Sequence, residues 1–216
     1  MLRTRIKICG LARPADAEAA SAQGVDALGM VFYSPSPRSV SMAQAAEIAA
    51  AIPPFVTLVA LFVNPEAQLV QRVMDRLPIG MLQFHGDESS GFCEQFHMPY
   101  LKALRMRPDV DLLQEAIPYR SASGLLLDTY RRGIPGGSGD TFGWDAIPPG
   151  LSRPVVLAGG LQAGNVGRAI MQARPAAVDI SSGVEVAPGE KDVRMIAGFI
   201  QAVRDADDQL NSGIDE

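Results

Sequence analysis

A chain of 216 residues, 47% hydrophobic and 20% charged, has the length of one domain and a composition that excludes both a disordered and a membrane-embedded protein. Its formal net charge of −5 gives no general attraction to nucleic acid, and no apolar run approaches the roughly 18 residues of a membrane span. Two cysteines, Cys9 and Cys93, make no disulfide framework, and His85 and His97, without CxxC or HExxH spacing, supply no transition-metal motif.

The basic start, Met1-Leu2-Arg3-Thr4-Arg5, lacks the apolar stretch and cleavage site of a signal peptide, so a cytoplasmic location is expected. The first β-prone run, Arg5 to Cys9, alternates so that Lys7 and Cys9 share one face and Ile6 and Ile8 the other. A helix over Pro14–Gln23 follows, then a strand from Ala27 to Phe32, a helix over Met42–Ala51 and a strand from Val56 to Val63. The spacing next predicts a helix over Pro65–Asp75, a strand from Met81 to His85, a helix over Ser89–Phe96 and a strand from Tyr100 to Leu104. The remainder reads as a helix over Asp109–Ile117, a strand from Gly124 to Asp128, a weak turn at Trp144 and a strand from Val155 to Ala158. It closes with a helix over Gly164–Gln172, a strand from Ala177 to Ser181, a helix over Asp192–Arg204 and a tail frayed from about residue 207. Pro14 and Pro65 suit first-turn positions, where a missing N–H costs little.

Eight strand–helix units in this length predict a single-domain α/β protein, a (β/α)8 TIM barrel over residues 1–216, with an open doubly wound sheet as the alternative. Short αβ connections such as Gln23-Gly24-Val25-Asp26 contrast with long βα segments at Tyr33–Ser41 and Thr129–Gly143. In a barrel that asymmetry puts the elaborated loops on the C-terminal face, where catalysis takes place.

Several residues near strand ends carry chemistry. If the Lys7–Cys9 face is the barrel interior, Lys7 favours the Cys9 thiolate, a base or nucleophile; the alternative is a buried structural thiol. Gly159 and Gly160 after strand seven, and Ser181, Ser182 and Gly183 after strand eight, form a candidate phosphate cradle, or else ordinary turns. Asp128 follows three leucines, and partial desolvation there would help it hold a proton for donation; a turn-capping aspartate is the alternative. Arg38, presented by the proline-stiffened loop Tyr33–Val40, offers a planar fork for a carboxylate. Gln83 and His85 share a face of strand four, for ligand binding, proton movement or a structural hydrogen bond. Closure of the barrel would let Lys7 and Asp179 pair beneath the ligand. The glycine-rich segment Tyr130–Asp140 is either a closing loop or a mobile connection.

In this order, Lys7-Ile8-Cys9-Gly10, Ser34-Pro35-Ser36-Pro37-Arg38, Leu82-Gln83-Phe84-His85-Gly86, Leu127-Asp128, Gly136-Gly137-Ser138-Gly139, Leu157-Ala158-Gly159-Gly160-Leu161 and Val178–Glu185 resemble the motifs of the phosphoribosylanthranilate isomerase family over nearly the whole chain. Phe84, Gly143 and Ala163-Gly164 depart from that family's pattern. The resemblance implies an Amadori rearrangement of N-(5-phosphoribosyl)anthranilate in tryptophan biosynthesis, with Asp128 as general acid and Cys9 as general base. It further implies that Arg38 holds the anthranilate carboxylate, the loops after strands seven and eight the phosphate, and Asp179 a sugar hydroxyl. Lys7, Gln83 and His85 complete the substrate-binding set. No cofactor and no metal is called for, the partner is a small molecule, and the protein is a monomer or a homodimer. The competing readings are another phosphosugar barrel, such as an indole-glycerol-phosphate synthase or a pentose-phosphate epimerase, and a non-catalytic phosphate-binding barrel.

Overall fold

Strands that are apolar on both faces have to be covered on both sides, which a parallel sheet wrapped in helices achieves. The computed structural model describes residues 3–107, 111–129 and 143–213 and has that form. Its strands are β1 (Arg5–Cys9), β2 (Ala27–Val31), β3 (Thr57–Phe62), β4 (Met81–Phe84), β5 (Tyr100–Met106), β6 (Gly124–Thr129), β7 (Val155–Leu157) and β8 (Ala177–Ile180). They pair in sequence order into a closed barrel, with β8 parallel to β1 and Lys7 opposite Asp179 in the register. The open-sheet alternative is thereby set aside.

Alternation divides the strand residues between two cores. Outward residues such as Ile6, Ile8, Leu28, Leu82 and Phe84 pack under the helices, while Leu101, Ala103, Leu126, Val156 and Ala158 fill the lower barrel interior. Phe84, a departure from the family's pattern, faces outward and sits among Phe62, Phe92, Phe96 and Tyr100 at centroid distances of 5.9–6.3 Å. Aromatic packing therefore accounts for that residue.

The helices are α1 (Pro14–Ala22), α2 (Met42–Ala50), α3 (Ala67–Arg76), α4 (Ser90–Glu94), α5 (Leu112–Ala116), α6 (Ala163–Ala173) and α7 (Val193–Ser212). Polar side chains start several of them: Ser41 and Gln44 form a reciprocal capping box on α2, and Asp111 and Asp192 accept backbone N–H bonds at α5 and α7. Pro14 lies in the first turn of α1 as its sequence suggests. Pro65 does not lie in α3, whose N-cap is Glu66; the preceding residue, Asn64, is instead held in the loop by its N–H bond to Glu88. A short 3-10 helix at Ile117–Tyr119 continues α5, another covers Trp144–Ala146, and a third, Ser182–Val184, leads into an unforeseen hairpin, β9 (Glu185–Ala187) and β10 (Glu190–Lys191). The glycine-rich Tyr130–Asp140 segment, including Gly136–Gly139, lies outside the described residues. Among the described residues no helix is long and apolar enough to cross a membrane.

The tail expected to fray from about residue 207 is helical through Ser212. Burial explains the difference: Asp207 accepts bonds from the Thr4 backbone N–H at 2.8 Å and the Thr4 hydroxyl at 2.6 Å, tying the last helix to the residue before β1. Hydrogen bonds to a buried carboxylate are worth about 1.5–3 kcal/mol. Asp207→Ala should accordingly lower Tm by about 4–8 °C, the shift that about 2 kcal/mol produces in a domain of this size. An unchanged melting curve by circular dichroism would show that this tie contributes nothing in solution.

Candidate active site

The C-terminal ends of the strands open into a cleft of about 780 Å³, solvent at its mouth included. It gathers residues from β1, β4, β6 and β8 and from the loops after β2, β7 and β8. Cys9, Arg38, Gln83, His85, Asp128, Gly159, Gly160, Asp179, Ser181, Ser182 and Gly183 all line it. Lys7 does not. It lies one layer lower, buried, with Nζ 2.8 Å from Oδ1 of Asp179, so the structure puts it under the cleft wall rather than in it.

This polar floor exists because β1 and β8 are neighbours and their inward residues fall in register. Burial acts against charge on both partners: it pushes the Asp179 carboxyl up and opposes the Lys7 ammonium, but the contact with Asp179 keeps Lys7 charged above its ordinary range. Room for the pair comes from β2. A Cβ at Gly29, opposite Cys9, would stand 2.9 Å from Cys9 Sγ and 3.2 Å from Lys7 Nζ, so a larger residue there would have to displace the thiol or the ammonium. Sequence reading missed Gly29, although a lone glycine within an apolar strand was a visible signal of close approach.

Cys9 sits directly above this layer, beside Val31 and Leu61. The expected thiolate is not favoured. Burial pushes the Cys9 thiol up and outweighs the pull of Lys7, whose charge is already engaged by Asp179; that carboxylate and Lys191 contribute in opposite directions.

On the opposite wall a chain of contacts leads to Asp128. Nε2 of Gln83 is 3.0 Å from Nδ1 of His85, and Nε2 of His85 is 3.0 Å from Oδ2 of Asp128. The loop bearing His85 is pinned from below by Glu88, which accepts the N–H groups of Asn64 and Gly86 and meets the buried Lys102 ammonium at 2.9 Å.

Arg38 carries a carboxylate already, and it is the protein's own. Its Nε and Nη2 bond Oε1 and Oε2 of Glu185 at 2.9 and 2.6 Å, and its aliphatic stem crosses Gly10, where a Cβ would lie 2.5 Å from Arg38 Cδ. Glu185 also receives Lys191 at 2.7 Å, and Lys191 reaches the carbonyl oxygens of Cys9 at 2.6 Å and Ser181 at 3.1 Å. The cationic groups hold the Glu185 carboxyl below its usual range despite burial, and the hydrogen bonds to Glu185 raise Arg38. Neither Glu185 nor Lys191 was singled out from the sequence. Pro188-Gly189 between them was the available hairpin signal.

The arrangement thus brings together the Cys9 thiol, the His85 imidazole against the Asp128 carboxyl, an oriented guanidinium, and two small-residue loops at the ends of β7 and β8. That inventory suits acid–base work on an anionic, sugar-like ligand.

A family model described as N-(5'phosphoribosyl)anthranilate (PRA) isomerase matches residues 6–202. The chain is 50% identical over 210 residues, 97% of its length and 100% of the relative's, to N-(5'-phosphoribosyl)anthranilate isomerase of Pseudomonas fluorescens. The crystal structure of phosphoribosyl anthranilate isomerase from Thermotoga maritima superposes with a TM-score of 0.87 at 39% identity, covering 94% of this chain and 99% of that one. A second isomerase structure, in complex with reduced 1-(o-carboxyphenylamino)-1-deoxyribulose 5-phosphate, gives a TM-score of 0.84 at 36% identity, with the same coverage of 94% and 99%. A match across almost the whole barrel, with the strand-end residues assembled in one cleft, places this chain in the N-(5'-phosphoribosyl)anthranilate isomerase family.

Proposed function

We propose that this protein isomerises N-(5-phosphoribosyl)anthranilate to 1-(2-carboxyphenylamino)-1-deoxyribulose 5-phosphate, the Amadori step of tryptophan biosynthesis, by general acid–base catalysis in one cleft. The observation that carries the mechanism is the convergence of Cys9 from β1 and the His85–Asp128 pair from β4 and β6 on one space. Asp128 protonates the ribose ring oxygen, the C1–O bond breaks, and the nitrogen lone pair forms the Schiff base. Cys9 then removes the C2 proton to give the enol-amine, which tautomerises to the aminoketone. C2 is oxidised as C1 is reduced, so atoms and electrons balance within the substrate.

The raised Cys9 thiol fits this order. A cationic Schiff base beside the sulfur makes C2–H acidic and favours loss of the thiol proton to water, so the thiolate forms when its target does, and that proton balances the one Asp128 later regains from water. The phosphate is received by Gly159, Gly160, Ser181, Ser182 and Gly183, where loops after β7 and β8 bring backbone N–H groups to an anion. The anthranilate carboxylate takes the Nη1–Nη2 edge of Arg38, whose other edge Glu185 fixes. Asp179 takes a sugar hydroxyl, and Gln83 and His85 line the wall beside Asp128. Lys7 acts through Asp179. A reaction between two small biosynthetic metabolites fits the cytoplasm.

The loss of phosphoribosylanthranilate fluorescence on mixing with chelator-treated protein tests the activity; no catalysed loss sinks it. Cys9→Ala and Asp128→Asn should each lower kcat by at least ~10²-fold, the contribution of a positioned acid or base, and near-normal turnover would remove the role from that residue. Arg38→Met should raise KM by roughly 10–100-fold with a smaller change in kcat, as expected when a charge-assisted ground-state contact is lost. The reverse split would assign Arg38 to the transition state alone.

The direction of the Cys9 shift gives a pH test. Because burial raises it, the thiol of the free enzyme should stay protonated through neutral pH and ionise above 9.0, its ordinary value. Absorbance of the thiolate at 240 nm in a Cys93→Ala background follows this directly, and a midpoint below 8 would contradict the burial argument.

A further inference from the structure

Gln83 is fully enclosed, and only one end of its carboxamide has a partner. Nε2 faces Nδ1 of His85 at 3.0 Å, whereas Oε1 has no hydrogen-bond partner among the described residues. A buried acceptor left unmade is costly, so its retention beside the His85–Asp128 pair asks for a reason. The two ends of a primary amide have nearly the same shape and opposite hydrogen-bonding character, and a half-turn exchanges them.

The imidazole responds differently to each end. With the NH2 group toward it, Nδ1 must accept; the ring is neutral, carries its proton on Nε2, and donates that proton to an Asp128 carboxylate. With Oε1 toward it, Nδ1 must carry hydrogen. Nε2 then either accepts from a protonated Asp128 or, as imidazolium, donates to the carboxylate. The first arrangement stores one proton on the pair and the second stores two.

We propose that Gln83 is a positioning residue which, by the end of its carboxamide turned to Nδ1, sets whether the His85–Asp128 pair holds one proton or two. This rests on the reading of Asp128 as the general acid. Only the doubly loaded pair delivers a proton to the ring oxygen and still leaves the imidazole neutral. The proton lost to the substrate is restored from water before the next turnover. The orphan Oε1 is then the unused end of a two-position device.

Other charged and titratable groups surround the pair: Asp179 from β8, with Lys7 beneath it, Cys9 from β1, Arg38 at the rim, and Arg105 from β5, whose Nη2 is 3.4 Å from the His85 carbonyl oxygen. Replacing Gln83 changes none of these groups chemically, so a change in the His85 nitrogen signals on that replacement reports the amide.

The experiment is NMR of the imidazole nitrogens in enzyme labelled with 15N-histidine, with the exposed His97 as an internal reference. Wild-type free enzyme should show His85 as the neutral Nε2–H tautomer at pH 7.5. In Gln83→Glu the carboxylate only accepts, so His85 should gain hydrogen at Nδ1, read as a change in that nitrogen's resonance. Gln83→Met removes both options, and should mix the tautomers and lower kcat by at least ~10-fold with little change in KM. Unaltered His85 signals in a folded Gln83→Met or Gln83→Glu enzyme overturn the proposal, whatever the variants' turnover. Shifted signals together with a fully active Asp128→Asn enzyme leave the tautomer control standing and overturn the general-acid reading instead.

Discussion

The site is organised by one buried ion pair, Lys7 with Asp179, at the seam where the first and last strands meet. A barrel interior tolerates charge only when it is matched, and the seam supplies the match because closure puts these two residues in register. Desolvation offsets most of the Coulomb attraction of such a pair, so its main effect is specific placement more than net stability. Below it the interior is apolar, with Leu101, Leu126 and Val156. Above it are the thiol, the imidazole and the Asp128 carboxyl. The pair is therefore the boundary between packing and chemistry.

The same contact governs the reactivity of Cys9. A lysine near a thiol is ordinarily read as a device for making thiolate, and that inference from Lys7-Ile8-Cys9 neglects how the lysine is partnered. Asp179 engages the ammonium, so burial controls the thiol and raises it.

Much of the barrel was legible because its signal is local and redundant. Eight two-face-buried runs separated by helical spacing leave few topologies, and alternation put Lys7 with Cys9, and Gln83 with His85, each on one shared face, which the closed barrel turns inward. What escaped depended on contacts between distant residues. Arg38 presented an open fork in sequence, but its partner Glu185 lies 147 positions away. The end of α7 looked frayed because its polar residues carry no indication that Asp207 would reach Thr4. Pro65 looked like a helix starter until Glu88 fixed the preceding turn. Gly29 stood out as a lone glycine in an apolar strand, but what approaches it is set only where the barrel closes around Cys9 and Lys7.

The β9–β10 hairpin shows how the two ends of the chain are made to share one site. Lys191 joins the carbonyls at the ends of β1 and β8, and through Glu185 it is coupled to Arg38 on the loop after β2. Two cations and one carboxylate leave a single net positive charge on this rim, spread over a rigid network instead of concentrated on a free arginine. Such a rim attracts an anion without binding it at full strength. That balance matters in an enzyme whose substrate and product both carry a carboxylate and a phosphate, because tight uniform binding lowers KM without raising kcat and slows release. The acidic partner of Arg38 thus fixes the geometry of the guanidinium while it offsets part of the positive charge on the rim.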